Sequence, residues 1–385
     1  MRRPAAALAA LFLAALALRP QIVGIGPLLP EIQHDLGTSH AVAGLLGTIP
    51  VLCMGLFAPL AAYLAGRTGT GVAIAGSLAL IAVFGLGRAV VPGVWAVVAL
   101  TVGVGIGMGL GNALAPLAVR EQLPGRPATG TGVYTTGIQI GSTASAAVAV
   151  PLAGALGGWR WALAVFSLAA LGLLGAWLLL VRPELHPAHA RFRPPRLPFH
   201  SPRAWLLVAV FALMGTSYYG LNAWLPDAYA ERGWSDGEAG LLVAMMNLTA
   251  IPASFVVPWL SERHGGRRPF LLGMSATFVT GALGLVALPA GAYGWALLAG
   301  VAQGGMFALV MTLPLDLEER REEVAALVAM MLGAGYTISA SGPFVLGAVR
   351  DVTGSFDGPL WLVVGLLAGL VAAVAALPRT RLRAA

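Results

Sequence analysis

Runs of apolar residues long enough to cross a bilayer, and free of charge, recur along this chain, and no other feature restricts its possible folds so strongly. Ala5 to Leu18 contains no charged side chain, and neither does Trp161 to Val181. Segments of about 20 apolar residues are the length a helix needs to span the hydrocarbon layer. The composition agrees: 58% of the residues are hydrophobic and 10% charged, where a soluble domain carries about 25% charged residues. Barrel strands would alternate apolar and polar residues, and no such alternation is present. Helices, which satisfy their own backbone amides, are the remaining way to span lipid.

The pattern predicts spans at 5–33, 41–66, 71–90, 94–119, 128–154 and 158–181, then at 204–230, 238–260, 269–289, 292–314, 323–348 and 358–378. The run after Met1-Arg2-Arg3 is too long for a signal peptide and is read as a retained first helix. Residues 1–182 and 204–385 form two halves, and the proline-, arginine- and histidine-rich stretch 183–203 joins them. The 23 basic residues are all arginine. Eighteen fall on the side of the two termini, four on the other side (Arg88, Arg160, Arg232, Arg350), and Arg19 lies within a helix. Short arginine-rich loops stay cytoplasmic, so both termini are inside. Arginines placed this way report topology and argue against nucleic-acid binding. The single cysteine, Cys53, allows no internal disulfide and no zinc site, and the expectation is a chain with no cofactor and no metal.

The chain repeats itself. At an offset of 196 residues, Leu29-Pro30-Glu31 falls on Leu225-Pro226-Asp227, Ala43-Gly44-Leu45-Leu46 on Ala239-Gly240-Leu241-Leu242, and Arg67 and Gly69 on Arg263 and Gly265. Six spans is an even number, so both copies enter the membrane in the same direction. That is the parallel-repeat arrangement of the major facilitator fold. The expected fold class is therefore an all-α membrane protein of twelve transmembrane helices in two parallel six-helix halves. Gly103, Gly105, Gly107, Gly109 and Gly111 resemble a nucleotide-binding spacing, but no strand precedes them. Spaced by four, Gly103, Gly107 and Gly111 suit close helix packing instead.

Arg19 is the most informative residue. A cation at mid-membrane costs at least roughly 2.5–3.5 kcal/mol and marks a functional site by default. No Asp, Glu or His falls centrally in any predicted span, so an anionic solute is the simplest partner. The alternative is a structural role, with Arg19 tied to carbonyls exposed by Pro20. Polar residues at similar depth are Gln139, Tyr218, Tyr219, Asn247, Gln303 and Tyr336, with Asn112 and Asn222 further from the midplane. Each could also be interhelical glue, but together they come from both halves, as a central cavity requires. The stretch Glu262-Arg263-His264-Gly265-Gly266-Arg267-Arg268 reads as a gating loop, with Arg67 as its first-half counterpart lacking the acid. Glu31 and Asp227 hold matching positions on the opposite side, as helix caps or gate residues.

Leu18-Arg19-Pro20 followed by Gly26-Pro27-Leu28-Leu29-Pro30 resembles the first helix of the cyanate porter family of major facilitator transporters. Ala43-Gly44-Leu45-Leu46, Gly111-Asn112, Tyr134-Thr135-Thr136, Trp159-Arg160, Ala223-Trp224-Leu225-Pro226, Gly335-Tyr336 and Gly342-Pro343 extend the likeness over nearly the whole chain. The resemblance implies a multi-pass protein of a bacterial inner membrane, acting as a monomer, that moves small anions or small polar heterocycles by alternating access. Uptake and efflux, and uniport, exchange and co-transport, stay open. A membrane enzyme would need an acid–base pair, a nucleophile or a metal set at one depth, and the sequence has none. A sensor would need a signalling domain, for which the 21-residue linker has no room.

Overall fold

A computed structural model describes residues 4–122, 127–182, 197–264, 266–318 and 320–378. Most of the linker stretch, 183–196, and the last residues, 379–385, lie outside the described residues. The chain divides into two compact units, Met1–Pro194 and Pro195–Ala385.

The first unit opens with a broken span. Helix α1 (Pro4–Leu16) stops, α2 (Pro20–Val23) restarts it, a 3-10 turn (Gly26–Leu28) follows, and α3 (Leu29–Leu36) ends at Gly37 with φ 59°. The sequence pattern predicts one continuous helix over 5–33, and prolines overrule it. Pro20 has no N–H for the carbonyl of Leu16 and its ring crowds that turn. Pro27 and Pro30 repeat the defect. The remaining helices are α4 (His40–Leu56), α5 (Ala58–Thr68), α6 (Thr70–Val90), α7 (Val94–Gln122), α8 (Pro127–Leu156) and α9 (Trp159–Val181). The predicted span 41–66 is thus split at Phe57, because Pro59 has no N–H for the carbonyl of Gly55.

The second unit contains α10 (Pro202–Ala230), α11 (Asp236–Arg263), α12 (Arg267–Ala287), a 3-10 turn (Pro289–Gly291), α13 (Ala292–Leu317), α14 (Arg321–Ser339), α15 (Ser341–Thr353) and α16 (Asp357–Ala376). The predicted span 323–348 breaks at Ala340, ahead of Gly342-Pro343, for the same reason as the first. Among the described residues, eleven helices or helix runs are long and apolar enough to cross a membrane, and His40–Leu56, continued by α5, supplies the twelfth.

Within each unit the helices pack in the same way: α7 lies against α4 and α6, as α13 lies against α11 and α12. The α7 glycines make this possible. A Cβ on Gly107 would stand 2.7 Å from the Ser77 carbonyl on α6, and one on Gly109 would stand 2.6 Å from the Cys53 carbonyl on α4. Gly103 and Gly107 face α6, Gly111 lies against Leu18 of the first span as well as Ser77 of α6, and Gly105 and Gly109 serve the α4 contact. Small residues of this kind let backbones approach where lipid supplies no hydrophobic drive between helices.

The outer corner of each unit is tied by one arginine that bridges the end of the third span to an acid. In the first unit Arg160 donates to the Val91 carbonyl at 2.7 Å and pairs with Asp35 at 3.2 Å. In the second, Arg232 donates to the Leu285 carbonyl at 2.8 Å and pairs with Asp357 at 3.0 Å. The charges are exchanged: the acid sits on the first span of one unit and on the last span of the other. Glu31 accepts the backbone N–H of Trp159 at 3.0 Å, so it caps the start of α9. Asp227, its repeat counterpart, is buried within the last turn of α10.

Candidate functional site

In the first unit the candidate side chains gather around the break in the first span. Arg19 is the residue that precedes α2, with φ −118° and ψ −27°, and only 7% of it is exposed. Its carbonyl accepts the N–H groups of Ile22 and Val23, so the break is itself hydrogen-bonded. The Tyr134 hydroxyl of α8 lies near enough to feel the Arg19 charge. That hydroxyl donates to the side-chain oxygen of Asn112 at 3.2 Å, and the Asn112 side-chain nitrogen donates to the Met108 carbonyl at 2.9 Å. Arg19, Tyr134 and Asn112 thus bring α2, α8 and α7 together chemically. Gln139, also on α8, is half-buried, and its amide makes no hydrogen bond to any described residue. A shallow pocket lined by Leu11, Leu18, Ser77, Gly111 and Tyr134 lies on the same side of the break.

Two residues past Arg19, Gln21 enters a buried network that the sequence pattern does not announce. Its amide nitrogen donates to Ser167 on α9 at 2.8 Å, and its oxygen accepts from an Nη of Arg88 on α6. Arg88 also donates to Thr101 on α7 at 3.3 Å. Arg88 is 0% exposed. Counting it among the flanking arginines of the outer side is therefore corrected: its side chain is inside the bundle. The signal was present, because Arg88 lies within the predicted span 71–90. An arginine this near a helix end ordinarily reaches outwards to water. Here the lean of Cα–Cβ bonds toward the helix N-terminus carries it inwards, toward the middle of the span.

In the second unit, Tyr218 and Asn247 are joined to each other. The Tyr218 hydroxyl donates to the Asn247 oxygen at 2.7 Å, the Asn247 amide donates to Asn222 at 3.0 Å, and the Asn222 amide donates to the Tyr218 carbonyl at 2.9 Å. This closed triad couples α10 to α11. Tyr219 is buried, and its ring meets that of Tyr218 edge-on at 5.1 Å between centroids. Tyr336 is half-buried and stacks edge-on against Phe211 at 4.9 Å. Gln303 on α13 is 8% exposed, and its amide makes no hydrogen bond to any described residue.

The cytoplasmic loop residues divide sharply. Arg267 forms an ion pair with Asp316 at the end of α13, at 2.9 Å, and bonds Thr312 as well. The counterpart in the first unit is Thr70, whose hydroxyl donates to Glu121 at 2.7 Å. Arg67 and Arg263 are exposed, and each lies over an aromatic ring four residues earlier: Tyr63 at 6.0 Å and Trp259 at 4.5 Å. Glu262 is exposed and makes no ion pair among the described residues. Of the four residues expected to gate, Arg267 alone is held by an acid on another helix among the described residues.

Comparison with known proteins agrees with this architecture. The profile described as Major Facilitator Superfamily matches residues 7–340 and 227–383. The cyanate transport protein CynX of Escherichia coli is 31% identical over 349 residues, covering 90% of this chain and 90% of that protein. The 2-nitroimidazole transporter of the same species is 29% identical, covering 95% of this chain and 93% of its own length. Among solved structures, a D-xylose–proton symporter superposes with a TM-score of 0.74 at 16% identity, covering 97% of each chain. The broken first span, the repeated helix contacts of the two units and these matches lead to one statement: the chain is a membrane transporter that belongs to the Major Facilitator Superfamily.

Proposed function

We propose that this transporter carries a small anion, or a small solute with a strongly polar acceptor group, and that Arg19 receives that group. The observation that carries the reading is the burial of the Arg19 guanidinium at a non-helical break in the middle of a membrane span. Such a position is costly for a cation, by at least roughly 2.5–3.5 kcal/mol, unless function maintains it. An arriving anion offsets part of that cost, so substrate binding and stabilisation of the site are the same event. Tyr134 and Asn112 are hydrogen-bonded to each other, and Gln139, on the same helix as Tyr134, makes no hydrogen bond among the described residues, so these polar groups are the ones offered to the solute.

The relatives support the chemistry. Their names include a cyanate transport protein, a 2-nitroimidazole transporter and, at 25% identity over 279 residues, a gentisate transporter of Corynebacterium glutamicum. Cyanate and gentisate are anions, and a nitro group is a bidentate acceptor. The gentisate carboxylate and the nitro group can each take two parallel N–H groups of a guanidinium, and linear cyanate accepts at one end. Alternating access is the mode of transport that such repeat-built transporters use, and Arg267 with Asp316 and Thr70 with Glu121 are the cytoplasmic contacts proposed to change in the cycle.

The test is thermal unfolding of the purified protein with sodium cyanate and with 2-nitroimidazole, beside Arg19→Ala. A ligand at 100 times its Kd adds about 2.7 kcal/mol to stability. Cyanate is expected to raise the midpoint of the native chain and to leave Arg19→Ala unmoved. If 2-nitroimidazole, held neutral, stabilises both proteins equally and cyanate stabilises neither, Arg19 is a structural residue and the anion reading is wrong.

A further inference from the structure

Arg88 carries a permanent charge that no acid cancels among the described residues. A guanidinium is not deprotonated in proteins. It is 0% exposed, its hydrogen bonds go to Gln21 and Thr101, and its Nε has no hydrogen-bond partner among the described residues. Both acceptors are neutral, and no carboxylate pairs with Arg88 among the described residues. Neutral dipoles solvate a charge without removing its field. In a dry interior that field falls slowly with distance and is screened little by salt.

The geometry ties this charge to the break in the first span. Gln21, which accepts from Arg88, is two residues from Arg19, so the two Cα atoms are at most about 7 Å apart. Gln21 is fully buried and is gripped on its other side by Ser167 at 2.8 Å. Gly85 leaves the space for this junction: a Cβ there would run into the Ser167 hydroxyl and come within 3.0 Å of the Gln21 amide nitrogen. Four helical segments, α2, α6, α7 and α9, therefore close around this cation, and α2 begins at the residue after Arg19.

We propose that Arg88 is a specificity-determining residue: its uncancelled positive charge, transmitted through Gln21 to the Arg19 break, sets the preference of this transporter for anionic over neutral solutes. This rests on the reading that Arg19 receives an anionic group. The alternative, that Arg88 only bolts four segments together, predicts different behaviour when the charge is cancelled and the bolt kept.

Gln21→Glu does that. It is nearly isosteric, it still accepts from Arg88, and Ser167 can turn its hydroxyl to donate to the new carboxylate. The readout is the half-saturating concentration in thermal-shift titrations with sodium cyanate and, separately, with neutral 2-nitroimidazole. The expected result is an unfolding midpoint without ligand no lower than that of the native chain, cyanate binding weakened on the order of tenfold, and no change toward 2-nitroimidazole. That factor is the effect of one elementary charge at about 10 Å in an effective dielectric of about 20. Thr101→Asp puts the carboxylate on another side of the guanidinium without touching the first span. It must give the same loss, and it decides the matter if Gln21→Glu does not fold. If cyanate titrates the folded variant as it titrates the native chain, Arg88 is only structural, while the Arg19 reading stands. If the native chain itself does not respond to cyanate, the Arg19 reading and this inference fall together.

Discussion

Gly141 shows how little room the first span leaves around its break. A Cβ at this position of α8 would stand 2.5 Å from the carbonyl oxygen of Leu16, the group that Pro20 deprives of its helical donor. Gly141→Ala is expected to destabilise the protein by about 1–3 kcal/mol, the usual cost of overpacking, and the midpoint of thermal unfolding checks it. At this scale the sequence was partly legible. Arg19 stands out because a charge inside an apolar run has no cheap explanation. Tyr218 and Asn247 were legible as polar residues at depth, but their bond to each other was not, since it depends on how α10 rotates against α11. Arg88 lies within the predicted span 71–90, but its place near a helix end, where charge is ordinary, masked that signal until the direction of its side chain was seen.

At the scale of elements, the apolar pattern located every span to within a few residues, because each must match the same lipid thickness. The interruptions at Arg19, Phe57 and Ala340 were not drawn from that pattern, which counts residues and ignores missing N–H groups. The Arg267–Asp316 contact between α12 and α13 belongs to this scale. The side chains are 11% and 13% exposed, and removing one partner of a buried pair costs about 3 kcal/mol or more. Asp316→Ala should therefore be strongly destabilising, whereas Arg267→Met combined with Asp316→Leu should recover most of the loss, as a double-mutant cycle by thermal unfolding would show. Asp316 lies beyond the span that ends at Pro314. Burial raises its carboxyl above the ordinary aspartate range, and Arg267 pulls it partly back. A raised group favours the folded state most at acid pH and gives up that contribution as pH rises through its folded value. The stability of the native chain minus that of Asp316→Asn should accordingly fall as pH is raised through and just above the usual aspartate range.

For the whole molecule, the two-fold repetition was readable at an offset of 196 residues because turns and helix ends reuse the same residues: Tyr63 and Arg67 return as Trp259 and Arg263, each pair one helical turn apart. The arginine distribution fixes which ends face the cytoplasm, and it makes a simple demand. Glu262 follows an even number of spans and Val352 an odd number, so cysteines placed there belong on opposite sides. Glu262→Cys should react with a membrane-impermeant maleimide only in inside-out vesicles, and Val352→Cys, 88% exposed in the native chain, only in right-side-out cells. The chain is already suited to that experiment. Its one thiol, Cys53, is packed beneath Gly105 and Gly109, with its Sγ 3.9 Å from the Val102 carbonyl. The glycines that draw α4 against α7 thus also make the native protein chemically silent to thiol reagents, so any label it takes up reports the residue that was introduced.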